Sequence, residues 1–228
     1  MPMLVNNTTF PSLLDLLAPH SCRGCGRIGY VLCDCCKKNI INDYKGLCPL
    51  CKTTLEKCTC KKYQHQPLIQ AIAWRHSLLG VLIQDLKYHS TRSIATPLAE
   101  ILNQTLHIST SRLTIVPLPT ITKHIRRRGL DHTLLIAHQF AKLRPNTEVS
   151  RLILRTNSTT QVGSSRAKRL KQASNAYDIN SKIATKKDAT YLLLDDVWTT
   201  GASMTAAIEL LQNNGINNIL GVVLTLSS

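Results

Sequence analysis

Nine cysteines fall between Cys22 and Cys60, and their spacing is regular. Cys22-x2-Cys25, seven residues, then Cys33-x2-Cys36 form one set of four. Cys48-x2-Cys51, six residues, then Cys58-x-Cys60 form a second. Two thiolates separated by two residues sit on one tight turn and can share a tetrahedral Zn2+. A site closed by four thiolates leaves no position for substrate, so the zinc would be structural. An iron–sulfur cluster is the competing chemistry, and the first pair could share its ion with the third. His65 could replace one member of Cys58/Cys60, whose spacing is one residue short. Cys35 reads as a spare thiol, although the sequence does not separate it from Cys33 and Cys36.

A second segment has a different chemistry. Tyr191-Leu-Leu-Leu-Asp-Asp-Val-Trp-Thr-Thr-Gly-Ala-Ser203 runs from four apolar residues through two acids into a small, hydroxyl-rich turn. The apolar run predicts a buried strand, and the following residues predict a turn opening a helix. In open α/β sheets ligands bind beyond the carboxyl ends of the strands. A helix N-terminus there aims backbone N–H groups at an anion. Thr199, Thr200 and Ser203 add hydroxyl donors, while Gly201 and Ala202 keep the loop small. Asp195 and Asp196 suit vicinal ribose hydroxyls, directly or through Mg2+, which takes oxygen ligands.

The elements that must hold these residues alternate. Strands are expected over 69–75, 113–117, 152–154, 191–194 and 219–226, and helices over 11–18, 78–88, 94–106, 134–143 and 202–213. Such alternation predicts an α/β fold with a mostly parallel sheet flanked by helices, preceded by a small cysteine-rich zinc module. The expected division is an N-terminal helix and zinc module over residues 1–66 and a larger domain over 67–228. Residues 156–187 read as polar, basic and partly loop.

The chain has 228 residues, 28 Lys+Arg and 13 Asp+Glu, for a formal charge of +15. Residues 1–190 carry all 28 basic residues against ten acids, +18, whereas 191–228 carry three acids and no Lys or Arg. A hydrophobic share of 43% excludes wholesale disorder. The excess positive charge calls for an anionic partner. Arg126, Arg127 and Arg128 form a triplet suited to pyrophosphate or a nucleic-acid backbone. Arg166, Lys168, Arg169 and Lys171 form a second cluster, and Lys87 with Tyr88 ends a helix near the same chemistry. His132 and His138 read as surface or core residues rather than bases. Only ten aromatic residues are present, so single-strand binding would be mainly electrostatic and salt-dependent. No run of apolar residues is long enough to span a membrane and no basic-then-apolar leader is visible, so the expected location is cytoplasmic.

The segment from Tyr191 to Ser203 resembles the phosphoribosyl pyrophosphate (PRPP) motif of type I phosphoribosyltransferases, except for the large Trp198. That resemblance implies that Asp195 and Asp196 contact the ribose hydroxyls and that Thr199, Thr200, Gly201, Ala202 and Ser203 hold the 5′-phosphate. Further segments fit one family in order. Leu86-Lys87-Tyr88 resembles an LKY element. Val116-Pro-Leu-Pro119 with Lys123 and Arg126-Arg-Arg-Gly129 resembles a VPVP…RxRGFNQ stretch, with Leu130-Asp131-His132 in place of Phe-Asn-Gln. Arg155, Thr159-Thr-Gln161, Arg169 and Ala176-Tyr177 resemble an R…T..Q…R…AF loop, with Gln172 where Asn is common. With the cysteine module these segments resemble the ComF (ComFC-type) competence family over nearly the whole chain.

The family resemblance implies an N-terminal zinc finger and a type I phosphoribosyltransferase-like domain. It also implies PRPP with Mg2+ as ligand, and the handling of single-stranded DNA during natural transformation. The implied protein partner is a DNA-translocating helicase or a recombination mediator. Whether phosphoribosyl transfer occurs is left open by the residues. The alternative is a metabolic phosphoribosyltransferase acting on a nucleobase or amine acceptor, against which the zinc module argues.

Overall fold

The computed structural model describes residues 20–60, 68–89, 91–156 and 176–227. Five strands form one sheet: β1 (Ile69–Trp74), β2 (Leu113–Pro117), β3 (Thr147–Val149), β6 (Thr190–Trp198) and β7 (Ile219–Leu226). Their order is β1-β7-β6-β2-β3, and every pair is parallel. Two short strands, β4 (Ile153–Arg155) and β5 (Tyr177–Ile179), pair antiparallel as a separate ribbon. The helices are α1 (Asp34–Asn42), α2 (Leu78–Tyr88), α3 (Ala95–Thr105), α4 (Thr122–Arg128), α5 (His132–Lys142) and α6 (Ala202–Asn213). The fold is therefore α/β with a parallel sheet between helical layers, as the alternation predicts.

Two apolar cores lie on opposite faces of the sheet. On one face Leu79, Leu82 and Leu86 of α2, Leu98 and Leu102 of α3 and Ile136 and Phe140 of α5 pack against Ile115, Leu192, Leu194 and Val222. On the other, Met204, Ala207 and Leu211 of α6 pack against Val116, Leu193 and Val223. Alternate residues of β6 thus feed alternate cores, which is why its sequence is continuously apolar rather than amphipathic. The chain moves outward from β2 to β3 through α5 but in the opposite direction from β6 to β7 through α6. Right-handed crossovers then place α5 and α6 on opposite faces. A crevice opens between the C-terminal ends of β2 and β6, where the direction reverses.

The cysteine region packs on this body. Cys22, Leu32, Cys33 and Cys36 belong to the same apolar core as α2 and α3. Leu47 and Ala71 exchange both backbone hydrogen bonds (3.0 and 2.9 Å), which covers part of the exposed edge of β1. Lys37 of α1 reaches Glu100 of α3.

Several elements differ from expectation. β6 does not turn at Leu194 but runs through both acids to Trp198, because β7 pairs with it to Leu226. The arginine triplet lies on a helix, α4, closed by Gly129 in the left-handed conformation (φ 71°). α1 forms among the cysteines, and β3 and β5 are added. The expected helix over 11–18 lies outside the described residues. Among the described residues no helix is long and apolar enough to cross a membrane.

Candidate functional site

The crevice between β2 and β6 holds a cavity of about 210 Å3. Asp195 and Asp196 enter from β6, Lys87 from the last turn of α2 and Arg128 from the last turn of α4. His132 enters from the first turn of α5, Arg155 and Tyr177 from the β4–β5 ribbon, and Ser203 from the start of α6. Segments far apart in the chain therefore bring three cations and two acids to one concavity.

The two acids differ sharply. Asp196 is 8% exposed. Lys87 Nζ forms an ion pair with its Oδ2, and His132 Nε2 lies 2.5 Å from the same oxygen. Burial opposes its charge, but the His132 hydrogen bond and the Lys87 charge outweigh burial and hold its carboxyl well below the usual range. Asp195 points the other way in charge. Burial, and then the neighbouring Asp196 charge, push it up to about 8. Its Oδ1 accepts the Asp196 backbone N–H at 2.8 Å. At neutral pH the pair therefore carries one firm negative charge and one proton that a cationic or hydrogen-bonding ligand would displace.

His132, set aside on sequence as surface or core, is in the core at 3% exposure and is also the partner of Asp196. Its position is set by Asp131, whose side chain accepts the Leu134 N–H and caps α5. The signal for it was the departure at Leu130-Asp131-His132, where a titratable ring stands in place of an amide. Its Nδ1 is buried without a hydrogen-bond partner among the described residues. His124, also at the cavity, is held below its ordinary pKa first by burial and then by Arg128, Arg127, Lys123 and Arg155.

The basic residues divide. Arg128 lines the cavity and lies over the Tyr88 ring at 5.1 Å, so Tyr88, itself 59% exposed, supports Arg128 from outside. Arg126 and Arg127 are exposed and do not line the cavity. Arg166 and Arg169 lie outside the described residues. Arg155, named only as part of a sequence pattern, is at the cavity; its guanidinium sits 5.4 Å over the Tyr177 ring and donates to the Tyr177 hydroxyl at 3.3 Å.

The loop from Thr199 to Ser203 follows β6 and opens α6. Gly201 has φ 79°, and a Cβ there would lie 2.2 Å from the Trp198 ring. The large Trp198 thus packs against the one residue that has no side chain, and it is itself buried. The hollow lined by Thr199, Thr200, Gly201, Ala202 and Ser203 is small, about 30 Å3, and shares Asp195 and Ser203 with the larger cavity. The first N–H groups of α6 have no partner within the helix by its geometry and face this end of the sheet.

Both four-cysteine sets assemble in sequence order. The sulfurs of Cys22, Cys25, Cys33 and Cys36 lie within 4.8 Å of one another, as do those of Cys48, Cys51, Cys58 and Cys60. Tetrahedral zinc with Zn–S bonds of about 2.3 Å needs sulfurs roughly 3.8 Å apart, and Cys25–Cys33 and Cys51–Cys58 are each 3.6 Å apart. Either cluster could hold a zinc ion. The thiols show why a cation suits them. Cys36 is pushed up to about 12, first by its hydrogen bond with Cys33 and then by burial. Burial opposes ionisation of Cys22, yet the backbone amides of Cys33, Cys25 and Gly24 pull it down to about 6. Cys60, raised by Cys51, and Cys51, lowered by Thr53, repeat that contrast. Four adjacent thiolates repel one another until a divalent cation joins them. Cys35 is exposed and belongs to neither cluster. His65 lies outside the described residues.

No family model matches this chain, and no curated protein matches it.

Proposed function

We propose that the crevice binds PRPP with Mg2+, and that the chain is a ComF-type, type I phosphoribosyltransferase-like protein that handles single-stranded DNA during natural transformation. One observation carries this reading. The acid pair and the hydroxyl-rich loop lie side by side at the switch point of a parallel sheet, with Lys87, ion-paired to Asp196, and with Arg128 and Arg155 lining the same cavity. The α6 N-terminus and the Thr199–Ser203 hydroxyls suit the 5′-phosphate. The acids suit the ribose diol, and the three cations suit the pyrophosphate. Two carboxylates beside a diphosphate are also the oxygen ligands that Mg2+ takes, and the ion would neutralise charge on the pyrophosphate.

The same geometry is suited to phosphoribosyl transfer. The bond from the ribose anomeric carbon to pyrophosphate breaks, and its electron pair leaves with pyrophosphate. A lone pair of the acceptor forms the new bond, and the acceptor gives up a proton. Lys87, Arg128 and Arg155 would stabilise the departing charge, which is where electrostatic catalysis is largest. The +18 over residues 1–190 supports the single-stranded DNA part of the reading, within which a DNA-translocating helicase or recombination mediator would be the protein partner.

The test is pyrophosphate release. The zinc-loaded chain with PRPP and Mg2+ is supplied in turn with nucleobases, amines and single-stranded DNA. Release with a nucleobase or amine supports a metabolic transferase. Release with DNA supports transfer within DNA handling. Saturable PRPP binding without release to any acceptor identifies a ligand-sensing pocket. A folded protein that neither binds PRPP nor releases pyrophosphate refutes the assignment.

A further inference from the structure

The first cysteine cluster and the crevice grip the same helix. Arg23 sits between Cys22 and Cys25, so any ion held by those thiolates fixes its backbone. The turn is closed by Gly26 N–H to Cys22 C=O (2.8 Å) and by Arg23 N–H to Val31 C=O (3.2 Å). From there the Arg23 guanidinium forks onto Asp85 of α2, with Nε to Oδ2 at 2.5 Å and Nη2 to Oδ1 at 3.0 Å. The Asp85 side chain is only 6% exposed, and its other partner is His89 Nδ1 at 2.9 Å. A nearly buried carboxylate in the last turns of a helix is thus paired by the turn between two metal-type cysteines.

The neighbouring residue makes a second contact at the other end of α2. A Cβ on Gly24 would lie 2.6 Å from Cys36 Sγ and 3.0 Å from Leu78 Cδ2. The Cys22–Cys25 turn therefore touches α2 at its first residue and again at Asp85. Two residues beyond Asp85, and so on roughly the opposite side of the helix, Lys87 forms its ion pair with Asp196. The last turn of α2 is held between the cysteine turn on one side and the crevice on the other.

We propose that Arg23 is a positioning residue: by clamping Asp85 it fixes the last turn of α2, and thereby ties the metal state of the Cys22–Cys36 cluster to the placement of Lys87 in the crevice. The effect on α2 stands on the contacts alone. The effect on anion affinity rests on the pyrophosphate reading of the crevice.

The test uses the full zinc-loaded chain and four variants: Arg23→Ala, Arg23→Lys, Lys87→Ala and the Arg23→Ala/Lys87→Ala double. Hydrogen exchange over residues 84–89 and the Kd for pyrophosphate are measured on each, with zinc content determined alongside. Arg23→Ala should keep its zinc, exchange about tenfold faster over 84–89 and bind pyrophosphate about tenfold more weakly. Arg23→Lys keeps the charge without the fork and should fall between the two. In the Lys87→Ala background, Arg23→Ala should weaken pyrophosphate by less than about twofold, because the route to the ligand is already cut. Chelating the zinc from the wild type should reproduce the faster exchange.

Unchanged exchange over 84–89 in Arg23→Ala overturns the proposal, as does a loss of affinity that persists undiminished when Lys87 is absent. If Arg23→Ala does not fold, Asp85→Asn takes its place with the same expected pattern. A wild type that binds no pyrophosphate sinks the crevice reading, while the exchange measurement still decides the role of Arg23.

Discussion

Asp195 and Asp196 are adjacent in sequence and should respond oppositely to the same substitution. Asp196 is buried and anionic, and it pairs with Lys87 and His132. Asp196→Asn leaves the Lys87 ammonium, whose side chain is 14% exposed, without its counter-charge. Removing one partner of a buried pair costs about 3–5 kcal/mol. Part is recovered because Asp195 is raised partly by the Asp196 charge, so a net loss of about 3 kcal/mol is expected. For a chain of this size that lowers Tm by about 6–12 °C. Asp195→Asn removes a carboxyl that the fold already pushes up to about 8, so it should lie within about 1 kcal/mol of wild type at pH 7.5, or above it.

The pH dependence separates the two further. A folded-state pKa above the unfolded value means that the native state binds the extra proton. Asp195 therefore lowers stability as pH rises from about 4 to about 8, on the order of a few kcal/mol in all. Asp196, held low, contributes stability that is present above about pH 4 and lost as pH falls through its native pKa. Urea unfolding of the zinc-loaded chain at pH 5, 6, 7 and 8 checks this. Asp195→Asn should flatten the decline toward pH 8. If Asp195→Asn is the more damaging of the two, or the decline survives in it, the charge assignment within the pair is refuted.

Other outcomes follow from the same contacts. Gly201→Ala should cost more than about 2 kcal/mol in urea unfolding, since the residue is left-handed and its Cβ would meet the Trp198 ring; a loss below about 0.5 kcal/mol would contradict that packing. Metal analysis should find two zinc equivalents per chain, and Cys35→Ser should leave that number unchanged, with one equivalent or a loss on Cys35→Ser as the adverse results. Single-stranded DNA affinity should fall at least tenfold between about 50 and 200 mM salt, whereas a salt-independent affinity would remove the electrostatic basis for DNA handling.

The parts of the fold governed by local periodicity were legible from the residues. The helix at Leu78–Tyr88, the strand at Leu113–Pro117 and the helix at Ala202–Asn213 fall where the apolar spacing puts them. What was not legible depended on partners elsewhere. β6 continues past its acids because β7 offers eight residues to pair with, which nothing within Asp195–Trp198 indicates. α4 is a helix of cations that no apolar stripe announces. Cys33, Cys35 and Cys36 became distinguishable only when α1 turned Cys35 outward. In the site, the acid pair and small loop were visible as a contiguous run. His132 was not, because its contact with Asp196 spans 64 residues. Arg155 and Arg128 likewise join the crevice from separate elements, while Arg126 and Arg127 in the same triplet do not.

PRPP binding in the crevice between β2 and β6, the proposed function, depends on the acid pair. The most direct measurement is calorimetric titration of PRPP with Mg2+ into the zinc-loaded chain and into Asp195→Asn, which is expected to remain folded. Saturable binding at one site per chain is expected in the wild type, with a loss of at least about tenfold in Asp195→Asn at a Tm no more than slightly below that of the wild type. A folded wild type that takes up no PRPP, or an Asp195→Asn protein that binds it equally well, would rule out the proposed site.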